Sequence, residues 1–148
     1  MGLDTHEIFY RILSGNDELM ELTKGGIYSI AIPEKVENID SSLVPWVIIT
    51  FDGLNNDEAT KDDPFESSTD TVQIGIEVAA NSPDELTRLS QLVRDIIHDE
   101  FLQEHSAFYG IPDYRFSAGA MQYDDITPCY FQNLNYSCSV DNVKQEES

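Results

Sequence analysis

The sequence predicts a single α+β domain: a mostly antiparallel or mixed sheet of about five strands, with a short N-terminal helix and one long helix packed on it. Its length of 148 residues is that of one ordinary domain. Apolar residues alternate in several short segments, as in half-buried strands. One longer segment, beginning near Pro83, has the period of an amphipathic helix. Residues 1–148 are therefore expected to form one domain.

The N-terminal segment DTHEIFYRIL has apolar residues at helical spacing and ends at Ser14-Gly15, which predicts a short helix. A second short turn is expected in NDELMEL, with Asn16 or Asp17 as its cap. Strands are then predicted in IYSIAIPE, PWVIITF, TVQIGIEV, YRFSAGAMQY and YFQNLNYSCSV. In the last of these strands, apolar residues at even-numbered positions share one face: Tyr130, Leu134, Tyr136, Cys138 and Val140.

The strand TVQIGIEV passes into the long helix within a few residues. Val72, Ile74, Ile76 and Val78 alternate on its apolar face. Ser82 is expected to cap the helix, with Pro83 at its first position and Glu85 completing a capping box. The helix should run to about Leu102, and this join is expected to be scaffold.

Two segments are expected to lack regular structure. Residues Gly53 to Asp70 form a long acidic loop that we expect to be mobile, including Asp57, Glu58, Asp62 and Asp63. The tail from about residue 142 is polar and should fray.

The net charge of −20, from 8 Lys and Arg against 28 Asp and Glu, predicts no tight binding to nucleic acid. No apolar run approaches the roughly 18 residues that a membrane span requires. The N-terminus MGLDTHEIFY has no secretion signal, so the cytoplasm is the expected location.

The residue pattern gives little support for chemistry. His98 and His105 are seven apart, which on a helix separates them by two turns, whereas metalloprotease ligands are four apart. The loop NNDEATKDD lacks the ligand spacing and glycine of a calcium loop. Asp124-Asp125 is expected in a turn, and Cys129 and Cys138 as buried thiols. We therefore expect no catalytic, cofactor-binding or metal-binding residues, and no enzyme activity.

Apolar side chains on the second face of PWVIITF suggest an interface. Val47, Ile49 and Phe51 should face one side of the sheet. Trp46 and Ile48 should face the other side, yet they are also apolar. With Phe131 they are candidates for contact with another subunit. The alternative is that helices on both faces bury them within one chain.

The order GGIYSIAIPE, PWVIITF, a variable loop, then VQIGIEVAANSPDELTRLSQLVRDII resembles the phage tail completion family, also called tail terminator or head-to-tail joining proteins. The resemblance covers about residues 5 to 100 and does not extend to the acidic loop or the C-terminal segment. It implies a small α+β domain that assembles into a ring, typically a hexamer, without catalysis or cofactor.

In that family the ring caps the tail tube, stops its polymerisation and joins tail to head. The partners implied are further copies of the chain, tail-tube proteins and head-connector proteins. The implied location is the cytoplasm of the producing bacterial cell, then the virion tail or neck. Two alternatives are a non-catalytic oligomeric module of the same fold in a host protein and, less favoured by the sequence, a small enzyme.

Overall fold

The structure is a computed structural model that describes residues 5–24, 26–29, 44–57, 68–103, 111, 113–125 and 128–142. Its helices are α1 (Thr5–Ser14), α2 (Asp17–Leu22) and α3 (Pro83–Phe101). Its strands are β1 (Gly26–Ser29), β2 (Trp46–Asp57), β3 (Ser68–Ala80), β4 (Asp113–Ala118), β5 (Gln122–Asp124) and β6 (Cys129–Asn142).

The six strands form one mixed sheet in the order β1-β2-β3-β6-β4, with β5 also paired to β6. β1 runs parallel to β2, and every other pair is antiparallel. The predicted fold class is thereby confirmed, with six strands where about five were expected. The extra strand arises because YRFSAGAMQY divides into β4 and β5. Between them the Gly119 N–H donates to the Asn133 carbonyl at 2.8 Å.

One face of the sheet, the covered face, packs against all three helices in a single core. The predicted alternation in β3 is confirmed, because its even-numbered apolar residues are all buried there: Val72, Ile74, Ile76 and Val78. The helices contribute a matching set of buried side chains: Phe9, Leu13, Leu19, Leu86, Leu89, Val93 and Ile97. The core is thus set by period two in the strands and period 3.6 in the helices.

The join between β3 and α3 is held by local hydrogen bonds. The Ser82 hydroxyl accepts from the Glu85 N–H at 3.2 Å, which confirms the predicted cap. The Glu85 carboxylate accepts from the Asn81 N–H at 2.8 Å, one residue earlier than a standard capping box requires. α2 begins in the same way, with the Asn16 side chain accepting from the Leu19 N–H at 2.9 Å.

β2 and β3 extend beyond the boundaries that the sequence predicts. β2 continues to Asp57 and β3 begins at Ser68, so both ends of the predicted 53–70 loop are strand. Polar residues there pair across the ladder, as Asp57 does with Thr69, and this pairing outweighs the low strand propensity of the Asn and Asp residues. A bulge at Asp52 precedes Gly53, whose φ of 148° favours glycine.

Several predicted features fall outside the described residues. Of the acidic residues predicted to be mobile, Asp57 ends β2. Glu58, Asp62 and Asp63 are not described, nor is the tail after residue 142. The mobility of this segment stays a prediction.

Candidate functional site

The face of the sheet opposite the helices, called the open face below, carries mostly hydroxyl and amide side chains in its centre. They are half-buried or exposed: Thr50, Thr71, Gln73, Asn133, Asn135, Ser137 and Ser139. None of the three described helices contributes to this face. The centre of the open face is therefore a flat polar surface.

Hydrogen bonds fix parts of the open face. The Thr50 hydroxyl donates to the Asp52 carboxylate at 2.8 Å, and both side chains lie over Gly75. A Cβ at position 75 would come within 2.5 Å of that carboxylate, so glycine lets Asp52 lie against the sheet. The Gln73 amide donates to the Ser137 hydroxyl at 3.1 Å across two strands.

The three predicted interface candidates come together at the apolar end of the open face. Trp46 and Ile48 belong to a small cluster with Val44, Ala79 and Cys129, and Phe131 packs against it. Trp46 is 7% and Ile48 8% exposed within the single chain, whereas Phe131 is half-buried. Their contact with another subunit stays a prediction.

Glu77 lies beside this apolar cluster. Burial raises the pKa of its carboxyl above the ordinary 4.5, and the nearby Asp124 carboxylate raises it further. Glu77 faces Ile48 on one side and Asn133 on the other in the sheet register. The open face therefore contains a carboxyl group that is costly to ionise.

The histidines and cysteines take separate positions. His98 Nδ1 lies 2.9 Å from the Tyr114 hydroxyl, while His6 packs edge-on against Phe51 with centroids 5.8 Å apart. Cys138 lies in the main core and Cys129 in the apolar cluster of the open face, so the two thiols occupy opposite faces. Burial, helped by Asp113, raises the pKa of the Cys138 thiol to about 12 and keeps it protonated.

Within the described ranges, no group of three or more His, Cys, Asp and Glu side chains could hold a metal ion. Asp125 lies in a turn, as predicted, whereas Asp124, predicted in the same turn, ends β5 because it pairs with Cys129 of β6. The expectation that the chain has no enzyme activity stays a prediction.

A second candidate surface, the β4–β5 edge, was not predicted from the sequence. It comprises residues 113–124 and the α3 residues beside them, among them Gln91, Arg94 and His98. Residues 117–123 are all exposed, including Met121 at 40% and Tyr123 at 52%. β4 is the terminal strand of the sheet on this side. Exposed apolar side chains beside a terminal strand are typical of a contact surface.

A concavity lies on each side of β4. On the helix side, one of about 460 Å³ is lined by Arg94, Asp95, His98, Tyr114 and Phe116. On the open-face side, one of about 450 Å³ is lined by Thr71, Asp113, Tyr114, Arg115, Ser137 and Ser139. Each therefore contains one of the few cationic side chains of a strongly acidic chain.

The Arg94 guanidinium lies 4.9 Å from the centroid of the Phe116 ring. No ion pair joins Arg94 or Arg115 to another described residue. The sequence shows that Lys and Arg residues are few. That Arg94 and Arg115 lie at the same edge depends on the pairing of β4 with β6.

None of the helices in the described ranges is both long and apolar enough to cross a lipid bilayer.

The fold is shared with a chain from a solved structure described as the virion of a native gene transfer agent particle. The TM-score is 0.56 at 10% sequence identity, and the likeness covers 93% of this chain and 94% of that chain. No protein-family model matches the sequence, and no curated protein matches it. The structural likeness therefore establishes a shared fold across nearly the whole of both chains.

Proposed function

We propose that this chain is a structural virion-assembly protein of a phage or prophage tail, and that it forms a ring which terminates the tail tube and joins it to the head. The observation that carries the proposal is the fold likeness to a chain of a virion particle, which extends over nearly the full length of both. Assembly with other virion proteins follows from that role.

The finer assignment to the tail end rests on the sequence. The segments GGIYSIAIPE, PWVIITF and VQIGIEVAANSPDELTRL occur in the order typical of tail completion proteins. The structure places parts of them in β1, β2 and the β3–α3 join, which together form half of the sheet and its covering helix. We propose that the ring, a hexamer in the resembling family, acts without catalysis or cofactor.

The charge suits a ring through which DNA passes. A net charge of −20 repels a polyanion, so a duplex in the lumen would slide and not bind tightly. An assembled ring whose lumen is lined by neutral or basic side chains would contradict this part of the proposal.

The mass of the purified protein, measured alone and with isolated tail tubes of the producing phage, tests the proposal. We expect a closed oligomer, and binding to tube ends and not along the tube wall. A protein that stays monomeric at every concentration and never binds tube ends would overturn it.

A further inference from the structure

We propose that the β4–β5 edge of one copy docks the α2–β1 end of the next copy, so that the ring closes through a head-to-tail contact between opposite ends of the sheet. This inference rests on the proposed ring and names the two surfaces that meet in it. A contact between two different surfaces is the kind that rotation can close into a ring.

The first surface is the helix side of the β4–β5 edge. Met121 lines a concavity of about 200 Å³ with Arg94 and Phe116 among its other walls. Tyr123 packs on Tyr130 with centroids 4.9 Å apart, and Tyr130 contacts the main core, so Tyr123 lies on this same side. Arg94 of α3, Met121 of the β4–β5 connection and Tyr123 of β5 thus lie on the helix side of this edge, and the two apolar side chains are exposed.

The second surface is α2, which packs against α1 and α3 and leads through a short connection into β1. α2 ends at Leu22 and β1, the other terminal strand of the described sheet, begins at Gly26. Within DELMEL, Leu19 is buried in the core, while the exposed residues are three acids and one methionine: Asp17, Glu18, Met20 and Glu21. The helix itself contains no basic residue, although the exposed Lys24 follows it before β1, and Met20 is 45% exposed.

The two surfaces match in chemistry. Met20, Met121 and Tyr123 are three of the four exposed large apolar residues among those described, and they are divided between the two ends. The acids of α2 complement Arg94, which has no carboxylate partner within the described part of its own chain. A contact of apolar centre and charged margin is typical of protein interfaces.

The two surfaces also match in geometry. The pairings make β1, β2 and β6 run in one direction and β3 and β4 in the other. Rotation about an axis along the strands therefore places β4 antiparallel to the β1 of the next copy. It also keeps the helices of both copies on one side, where α2 and Arg94 lie. In this arrangement β1 of the next copy lies beside β4. Successive β1 side chains point to opposite faces of the sheet, so they enter the two concavities that lie on either side of β4.

The test is the self-association of the full chain, measured by sedimentation over a concentration series. We expect Arg94→Glu to weaken association by about tenfold or more, because it places like charges opposite each other in the contact. We expect Glu18→Arg combined with Glu21→Arg to weaken association by a similar factor, although this variant leaves the β4–β5 edge unchanged. Joining the three substitutions in one chain should restore association to within about threefold of the unmodified protein.

Arg88→Glu is the matched control, because it reverses one exposed arginine of α3 that does not line the concavities beside β4. It should leave association unchanged. If the unmodified chain forms rings and both reversals assemble as well as it does, the edge-to-edge contact is overturned while the proposed function stands. If the unmodified chain never assembles, alone or on tube ends, both are overturned.

Discussion

The two faces of the sheet carry alternate residues of the same strands, yet they serve different purposes. On β3 the even-numbered residues, such as Ile74 and Ile76, are buried beneath the helices. The polar odd-numbered residues, such as Gln73 and Glu77, lie on the open face and are half-buried. One strand therefore supplies both the core and an accessible polar surface, because side chains alternate with period two.

The two faces differ in how much they contribute to the stability of the chain. Apolar burial against α1 and α3 stabilises the subunit. Polar side chains of the open face and the β4–β5 edge contribute little to that core, so they are available for contacts. Substitutions on the two faces should accordingly differ in size and in what they change.

The largest effect is expected on the covered face. Ile76→Ala should lower the free energy of unfolding by about 2–5 kcal/mol, because it leaves a cavity at a fully buried position between the helices and the sheet. Urea unfolding measures the change. Gln73→Ala, on the opposite face of the same strand, is the control and should cost about 1 kcal/mol or less for its lost bond to Ser137. Equal losses would contradict the assignment of the two faces.

A smaller effect is expected at Gly75, the tightest position of the open face. Gly75→Ala should cost about 1–3 kcal/mol, since the added methyl must displace Thr50 and Asp52. Gly75→Ala combined with Asp52→Ala should recover part of the loss, because one of the two obstructing side chains is then gone. Absence of any recovery in thermal unfolding would show that Asp52 does not lie over the glycine.

A still smaller effect on stability is expected at the join between β3 and α3. Ser82→Ala should cost about 0.5–2 kcal/mol, because it removes the cap that accepts from the Glu85 N–H. Ser82→Asp keeps an oxygen acceptor at the helix N-terminus and should retain most of the stability. Urea unfolding of the two variants distinguishes loss of the cap from a general intolerance of change at this position.

The smallest effect concerns Glu77 and depends on pH. Because its pKa is raised in the folded state, protonation favours folding, so its contribution declines as pH rises above 4.5 toward the raised value and is constant beyond it. Glu77→Gln should therefore be more stable than the unmodified chain at pH 7, and this gain should vanish near pH 4. Thermal unfolding at both pH values measures the difference. Glu18→Gln, on exposed α2, controls for the loss of one negative charge. A gain of equal size at both pH values would contradict the role of burial.

Much of the covered face could be predicted from sequence. Alternation at Val72 to Val78 and the Ser82–Glu85 cap are local patterns, and the structure confirms both. The boundaries of β2 and β3 could not be predicted, because residues such as Asn55 and Asp57 have poor strand propensity and are strand only through pairing with the neighbouring chain segment. The β4–β5 edge was missed for a similar reason: Arg94 and Met121 become neighbours only through the packing of α3 on the sheet.

Polymerisation of the tail tube in the presence of this protein tests the central proposal most directly. Electron microscopy of tube protein assembled with and without the chain would measure tube length and the density at tube ends. We expect the protein to halt elongation and to form a ring at one end of each tube, so that tubes are shorter as its concentration rises. Tubes of unchanged length with bare ends at every concentration would contradict it.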